Sequence, residues 1–217
     1  MTPSDLRAQP LGDSAVTISF GDRRSAALLR RIHAAARSLR DARIIGIEDV
    51  VPAYLALTVF YDPIAIRYSE IADAVLRECA RAPDDAPAET AREHLIPVRY
   101  DGEDLEAVAA STGLSIQQVV RLHSGGRYTA DLIGFVPGFA YLSELDLALH
   151  LPRRAQPRPR VAAGSVAIAG AQTAVYPLDT PGGWHLIGST ETVMFDAERD
   201  PPALISPGDI VRFSVVE

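Results

Sequence analysis

The sequence predicts an α+β fold divided into two domains. The first part of the chain alternates strand-like and helix-like segments, whereas the last part consists of short strand-like runs separated by glycine and proline. Between them, "APDDAPAETARE" is rich in proline and acidic residues and has no apolar period, which is typical of a linker. We therefore predict a first domain over residues 1–81, a linker over 82–93 and a second domain over 94–217.

The first domain is predicted to begin with a strand over 15–20, where apolar and polar residues alternate until Gly21-Asp22. "DRRSAALLRRIHAAARSLR" indicates a helix, because its apolar residues recur at helical spacing opposite arginines. "RIIGIEDVVPAYLALTVFYD" indicates two strands joined at 51–53, and "SEIADAVLRECAR" a second helix capped by Ser69. With "LIPVRY" as the last strand, this order predicts a ferredoxin-like α/β sandwich.

The second domain is predicted to open with a pair of short helices in "DGEDLEAVAASTGLSIQQVVRLHSGG", with a turn at Thr112-Gly113 and a cap at Ser115. The pair resembles a DNA-reading helix-turn-helix, but a net charge of −7 opposes phosphate binding, so we predict a packing role and no nucleic-acid partner. Short strand-like runs follow and predict an antiparallel β-barrel or sandwich. These runs are "RYTADLIGF", "GSVAIAG", "QTAVYPL", "GGWHLIG", "ETVMFD" and "DIVRFSVVE".

The composition excludes several kinds of chemistry. Arginine supplies all of the Lys+Arg total of 21, so neither a lysine Schiff base nor a phosphate-loop lysine is available. Cys79 is the single cysteine, which excludes an intrachain disulfide and predicts a buried structural thiol. Scattered histidines predict no metal site. Without a signal peptide or an apolar run long enough to span a bilayer, we predict a cytoplasmic protein with no membrane partner.

Residues 134–142, "GFVPGFAYL", predict a shaped loop that carries aromatic rings. Pro137 would break a helix and would remove a hydrogen-bond donor from an interior strand. We interpret Phe135, Phe139 and Tyr141 as an aromatic lip of the second domain. The alternative is that these rings pack in its core.

The segment "LPRRAQPRPR" predicts an anion site or a surface for an acidic partner. Arg153, Arg154, Arg158 and Arg160 lie within one proline-stiffened stretch, and guanidinium groups bind carboxylates and phosphates through two parallel hydrogen bonds. The alternative is a solvated loop with surface ion pairs.

The segment "PGGWHLIG" contains the single tryptophan next to a histidine. Successive side chains of a strand face opposite ways, so Trp184 and His185 are not both expected in one core. His185 is the candidate for a catalytic base, and a hydrogen-bonded structural role is its alternative.

Several of these segments together resemble the bacterial 5-oxoprolinase B-subunit family, also called allophanate hydrolase subunit 1. The motifs are "HSGGRYTADLIGFVPGFAYL", "PRRAQPR", "AGSVAIAGAQTAVYP" and "PGGWHLIG", in that order, and "GIEDVVPAYLALTVFYDP" extends the resemblance to the first domain. The resemblance implies a ferredoxin-like domain followed by a cyclophilin-like antiparallel β-barrel. It also implies that the chain, inactive alone, joins the C and A subunits of 5-oxoprolinase in a complex that uses ATP to hydrolyse 5-oxoproline to glutamate.

The family motifs also imply site residues. Five are expected to bind substrate or an anion: Arg153, Arg158, Ser165, Gln172 and Tyr176. Either arginine would neutralise a carboxylate or phosphoryl group, and Gln172 and Tyr176 would hydrogen-bond the lactam. Others are expected to shape the site or face the C subunit: Phe135, Pro137, Gly138, Phe139, Tyr141, Gly164, Pro181, Gly182, Gly183 and Trp184. Because the family includes an inhibitor of a sporulation histidine kinase, the alternative function is an inhibitor that docks a sensor kinase and blocks its autophosphorylation.

Overall fold

The computed structural model describes residues 6–83 and 91–216. The chain divides into two compact units, residues 1–90 and 91–217. Most of the predicted linker over 82–93 lies outside the described residues. Its last residue, Glu93, begins a strand of the second unit.

The first unit contains a four-stranded antiparallel sheet and two helices. The strands are β1 (Arg7–Pro10), β2 (Ala15–Ser19), β3 (Ile47–Pro52) and β4 (Ala56–Tyr61), in the order β1-β2-β4-β3. The helices are α1 (Ala26–Asp41) and α2 (Tyr68–Arg81). Their apolar faces and one face of the sheet form a single core, in which Ile32 and Leu57 are fully buried. Cys79 of α2 is buried in the same core, as predicted.

Two details of the first unit differ from the predictions. "LIPVRY" does not complete this sheet, and β1 takes the edge position beside β2. The short sequence of β1, "RAQP", carries no apolar alternation that would mark it as a strand. Ser69 does not cap α2, because the helix begins at Tyr68 and Arg67 is its cap residue. The Glu70 carboxylate accepts a hydrogen bond from the Arg67 N–H at 3.2 Å.

The second unit is built on a seven-stranded sheet. Its strands are β5 (Glu93–Val98), β6 (Tyr128–Ile133), β7 (Ala140–Ser143), β9 (Ser165–Ala169), β10 (Gln172–Val175), β12 (His185–Ser189) and β13 (Ile210–Val215). Their order is β12-β9-β10-β7-β6-β13-β5. At the two edges, Arg99 and Ser189 exchange backbone hydrogen bonds of 2.9 and 2.7 Å, so the sheet forms a nearly closed barrel. The predicted mixture of α and β structure is therefore confirmed.

The observed strand pairing in the barrel differs in two respects from the prediction that the listed runs form an antiparallel barrel or sandwich. β5, which contains most of "LIPVRY", pairs in parallel with β13. "ETVMFD" forms no strand, and its only ladder contact is an isolated bridge between Phe195 and Ala203. A separate two-stranded ribbon consists of β8 (Arg158–Val161) and β11 (Thr180–Gly182).

The two short helices of the second unit are confirmed as α3 (Leu105–Thr112) and α4 (Ile116–Ser124). Gly113, with a φ of 71°, ends α3, and the Ser115 hydroxyl caps α4 by accepting a hydrogen bond from the Gln118 N–H at 3.2 Å. Val108 and Val119 are fully buried in the barrel core. The pair thus packs on the barrel, as predicted. Among the described residues, no helix is both long and apolar enough to cross a membrane.

The barrel sheet has two apolar faces because its strands alternate residue by residue. On β9, Val166 and Ile168 belong to the interior core, whereas Ala167 and Ala169 belong to a second apolar cluster on the outer face. The same alternation continues on β7, β10 and β12. The outer face is where the loop 134–139 and the β8–β11 ribbon add their apolar residues.

A polar network lies inside the barrel around His123, which is fully buried. Its Nδ1 lies 2.7 Å from the Tyr100 hydroxyl, and its Nε2 lies 2.8 Å from the Thr173 hydroxyl. The Thr173 hydroxyl in turn donates to the Ala167 carbonyl at 3.1 Å. This donation assigns the imidazole: Nε2 carries the proton and donates to Thr173, and Nδ1 accepts from Tyr100. Burial lowers the pKa of His123 to about 3, so the ring is neutral.

Candidate functional site

The loop 134–139 is a pair of consecutive tight turns. The Val136 N–H donates to the Gly134 carbonyl at 2.9 Å, and the Phe139 N–H donates to the Val136 carbonyl at 3.1 Å. The second turn has proline and then glycine at its centre, and Gly138 has the φ of 80° that a type II turn requires. A Cβ on Gly138 would also lie 2.7 Å from the Phe195 Cβ. Pro137 and Gly138 are therefore residues that shape the loop.

The first turn holds Phe135 in a strained conformation. Its φ of 70° is rare for a bulky residue, and its side chain is 59% exposed. A left-handed backbone at a non-glycine residue costs about 1–2 kcal/mol. Such strain occurs most often where function requires it, and here it holds an aromatic ring in solvent at the edge of the barrel.

Four aromatic rings surround Phe139 on the outer face of the barrel. Phe139 is fully buried, and its ring centre lies 4.9–5.6 Å from the other four, all in edge-to-face geometry. The four are Phe135, Tyr141, Tyr176 and Trp184. The predicted lip and the alternative of core packing are thus both present: Phe139 is packed, whereas Phe135 is exposed.

These rings form the wall of a pocket of about 160 Å³, which we call the aromatic pocket. It is lined by Phe135, Phe139, Tyr141, Arg153, Pro157, Tyr176, Pro181, Gly182, Gly183 and Trp184. All of these except Pro157 are residues that the sequence analysis singled out. The pocket is smaller than the roughly 300–1,000 Å³ typical of sites for drug-sized ligands, so it suits a small metabolite.

Arg153 is the cation of the aromatic pocket. Its guanidinium lies over the Trp184 ring, 6.0 Å from the ring centre, which is the geometry of a cation–π contact. Arg153 is exposed and forms no ion pair with any carboxylate of residues 6–83 or 91–216. Its positive charge is therefore available to an incoming anion.

The two pocket phenols stay neutral at physiological pH. Burial raises the pKa of Tyr141, and the nearby charge of Arg153 offsets this only in part. Burial also raises the pKa of Tyr176, against the lowering effects of the Trp184 backbone N–H and the Arg153 charge. Protonated phenols can donate a hydrogen bond to a carbonyl or carboxylate oxygen of a ligand.

Arg158 is occupied by carboxylates of its own chain. It donates to both oxygens of Asp104, at 3.0 and 2.9 Å, and to Glu103 at 3.1 Å. Arg154 donates to the same Asp104 carboxylate. Of the two arginines that sequence reasoning offered for anion binding, Arg153 thus has the available charge, and Arg158 has a structural partner.

Gly182 gives the pocket its close fit. A Cβ built on Gly182 would lie 2.3 Å from the Tyr176 hydroxyl, whereas a Cβ on Gly183 would have nothing closer than 3.7 Å. Only glycine lets the β11 backbone approach the phenol this closely.

The remaining predicted residues lie outside the pocket lining. The Ser165 carbonyl accepts from the Tyr176 N–H at 2.9 Å, and the Gly164 N–H donates to the Tyr176 carbonyl at 2.8 Å, so both fix the Tyr176 backbone. Gln172 pairs with Ser143 across β10 and β7 at the far end of the strand from Tyr176. His185 points away from the buried Trp184, as strand alternation predicts, and its Nε2 donates to the Pro152 carbonyl at 2.8 Å.

The functional residue that sequence reasoning missed is Asp104. It precedes α3 and is only 4% exposed, yet no motif marks it in the sequence. Its partners Arg154, Arg158 and Leu186 are 50, 54 and 82 positions away in the chain. The one available signal is the high density of arginines in "LPRRAQPRPR", because closely spaced guanidinium groups are often paired with carboxylates.

The arrangement is therefore a small apolar pocket with an exposed cation and two neutral phenols. Such a site can hold a small planar ring against its aromatic walls and an anionic group at Arg153. In residues 6–83 and 91–216, no group of three or more His, Cys, Asp or Glu could hold a metal ion. The pocket has binding chemistry, and no nucleophile with an adjacent base lies among its lining residues.

The family match and the fold place the chain among proteins with a carboxyltransferase C and D domain. Residues 6–205 match the model of the carboxyltransferase domain, subdomain C and D. The crystal structure of the Kluyveromyces lactis urea carboxylase superposes with a TM-score of 0.76 at 17% identity, over 98% of this chain and 22% of that one, which shows a shared fold.

Nearer relatives identify the family. The B subunit of 5-oxoprolinase from Bacillus subtilis (strain 168) is 38% identical over 94% of this chain and 90% of its own length. The crystal structure of TTHA0988 superposes with a TM-score of 0.84 at 43% identity, over 94% of this chain. This chain spans only 40% of the length of TTHA0988. The chain belongs to the 5-oxoprolinase B-subunit family, as its motifs indicated.

Proposed function

We propose that this chain is a subunit of an ATP-dependent 5-oxoprolinase complex and that its aromatic pocket binds 5-oxoproline. The observation that carries the proposal is the exposed Arg153 at the rim of an aromatic pocket, in a chain whose curated relatives are named as the B subunit of 5-oxoprolinase. Those names favour the enzyme subunit over the kinase inhibitor.

The chemistry of the substrate matches the pocket group by group. 5-Oxoproline is a five-membered lactam with one carboxylate. Its ring fits between aromatic faces, and its carboxylate fits the Arg153 guanidinium. The neutral phenols of Tyr141 and Tyr176 are suited to donate to the lactam carbonyl, which is where negative charge develops when the ring opens. Gln172, predicted to hydrogen-bond the lactam, does not line this pocket.

In this proposal, the groups that carry out the chemical steps belong to other subunits. The lining residues of the pocket include no nucleophile with a base, which supports a chain that is inactive alone. The C and A subunits of 5-oxoprolinase would supply them, with Phe135 as the exposed aromatic that meets the C subunit. ATP would be consumed by the complex. We expect this assembly in the cytoplasm.

We also propose that the first unit has a ferredoxin-like fold and the second a cyclophilin-like fold. A four-stranded antiparallel sheet with two helices supports a ferredoxin-like first unit. A nearly closed seven-stranded barrel with a helix pair supports a cyclophilin-like second unit.

The test is glutamate release from 5-oxoproline and ATP by the complex assembled from this chain and its partner subunits. We expect activity to disappear when this chain is omitted and to return when the purified wild-type chain is added back. A complex that releases glutamate at the full rate without this chain would contradict the proposal. Sensor-kinase autophosphorylation, measured with and without the chain, would then test the alternative.

A further inference from the structure

Asp104 is a densely bonded carboxylate of the second unit. Its Oδ1 accepts from Arg154 and from Arg158, the latter at 2.9 Å. Its Oδ2 accepts from Arg158 at 3.0 Å and from the Leu186 backbone N–H at 2.7 Å. Burial raises the pKa of Asp104, but the hydrogen bonds from Arg158 and Leu186 and the arginine charges outweigh burial and lower it, so the carboxylate stays ionised.

The donors of Asp104 come from two segments of the chain whose neighbouring residues line the aromatic pocket. Arg154 follows Arg153 in the chain and Arg158 follows Pro157, and both Arg153 and Pro157 line the pocket. Leu186 lies two residues after Trp184, which also lines the pocket. One carboxylate therefore connects the arginine segment to β12, the strand that begins directly after Trp184.

Two further hydrogen bonds reinforce this connection. The Arg154 N–H donates to the Gly183 carbonyl at 2.8 Å, and His185 Nε2 donates to the Pro152 carbonyl at 2.8 Å. Both join the arginine segment to residues next to Trp184. Asp104 differs from them because it is charged and buried, so loss of its charge would leave two guanidinium groups without a buried partner.

We propose that Asp104 is a positioning residue: it holds the Arg153 segment against the start of β12, next to Trp184, and so sets the geometry of the substrate-binding pocket. It acts through Arg154, Arg158 and the Leu186 backbone, without contacting the ligand. Together with Glu103, which also pairs with Arg158, Asp104 balances the charges of those two arginines and leaves Arg153 as the cation for the ligand. The statement about substrate rests on the proposed function, whereas the statement about pocket geometry does not.

The first measurement separates geometry from activity. Trp184 is the single tryptophan of the chain and is 5% exposed in the pocket wall, so its fluorescence reports on this site. We expect Asp104→Asn to increase acrylamide quenching of Trp184 in the full-length chain. Glu103→Gln is the matched control, because Glu103 is an exposed neighbour that pairs with the same Arg158. In Glu103→Gln, acrylamide should quench the Trp184 fluorescence to the same extent as in the wild type.

The second measurement uses the assembled complex. Because misplacing a binding group weakens substrate binding, we expect Asp104→Asn to raise the KM for 5-oxoproline about tenfold or more while kcat changes little. Glu103→Gln should keep the wild-type KM. If Asp104→Asn does not fold, Arg154→Gln removes one of the connections without touching the carboxylate and should move both readouts in the same direction.

The outcomes are distinguishable. Wild-type quenching and KM in Asp104→Asn would overturn the proposal, as would a fall in kcat at constant KM. An increase in quenching that Glu103→Gln does not share supports the positioning role, even if the complex proves active without this chain and the proposed function fails.

Discussion

The guanidinium of Arg153 lies over the ring of Trp184, 6.0 Å from the ring centre, while Arg154, one residue further along, pairs with the buried Asp104. Adjacent arginines thus have opposite roles. One pairs with a buried carboxylate, and the other presents its charge at the rim of the aromatic pocket.

The first prediction concerns that exposed charge. Arg153→Gln should raise the KM for 5-oxoproline roughly tenfold to a hundredfold, because a hydrogen bond to a charged group contributes about 1.5–3 kcal/mol. Steady-state kinetics of the complex would show it. Arg160→Gln is the control, since Arg160 is an exposed arginine of the same segment that pairs with Asp179. An equal rise in KM for both variants would show that net charge, and not this position, matters.

The second prediction concerns the strained aromatic residue of the loop. Phe135→Gly should weaken substrate binding or complex assembly without lowering the thermal midpoint, because it removes an exposed ring and relieves a φ of 70°. Phe135→Ala removes the same ring but keeps the strain, so it should be less stable than Phe135→Gly by about 1 kcal/mol. If the glycine variant proved the less stable of the two, the left-handed backbone at this position would not be a source of strain.

The third prediction uses two adjacent glycines. Gly182→Ala should lower the free energy of unfolding by about 1–3 kcal/mol, because its Cβ would collide with the buried Tyr176 hydroxyl. Gly183→Ala should change it far less, since its Cβ would meet only ordinary contacts from 3.7 Å outward. Urea unfolding of the two variants measures the difference. Equal stabilities would mean that Tyr176 can move aside, so the close approach would not constrain the pocket.

The fourth prediction concerns stability against pH. Burial lowers the pKa of His123 from 6.5 to about 3, so between these values the unfolded chain binds a proton that the folded chain does not. The contribution of the neutral His123 to the free energy of unfolding is therefore fully present above about pH 6.5 and is lost as the pH falls toward 3. Asp104, whose pKa is lowered, loses its contribution only in more acidic solution.

Urea unfolding of the wild type and of His123→Gln tests this linkage. Between about pH 7 and about pH 5, the wild type should lose about 2 kcal/mol more stability than the variant, because only the wild type carries the titrating imidazole. The other histidines are present in both proteins, so their contributions to the pH dependence cancel in the comparison. Parallel pH dependence in the two proteins would mean that His123 can be protonated in the folded state.

The fifth prediction concerns the single cysteine. Burial raises the pKa of Cys79 to about 12, with the Arg31 charge opposing and Glu78 adding to the effect. Native protein at about pH 8 should thus react with a thiol reagent at least about a hundredfold more slowly than protein unfolded in urea. Rapid reaction of the native chain would reveal frequent opening of the α2 packing.

Local features of the site can be predicted from sequence because short-range geometry determines them. Pro137 and Gly138 specify a tight turn by themselves, and alternation along a strand separates Trp184 from His185. Contacts between residues far apart in the sequence cannot be predicted in this way. The pairing of Arg158 with Asp104 joins positions 54 residues apart, and nothing near either residue indicates the other.

Strand partners show the same limit. The run "LIPVRY" is correctly predicted as a strand, yet its predicted sheet is wrong, because an apolar run does not specify its neighbour. β1 escapes prediction since "RAQP" has no apolar face, and β2 alone holds it in the sheet. "ETVMFD" has the composition of a strand but lacks a ladder partner apart from one bridge.

The parallel pairing of β5 with β13 has a consequence for synthesis on the ribosome. β13 lies between β5 and β6 in the sheet, so neither can complete its ladder until residues 210–215 have been translated. The first strand of the barrel unit must wait for the last one, across a loop of more than a hundred residues, and closing such a loop is slow. The first unit, whose sheet is complete by Tyr61, can fold while its neighbour is still being made.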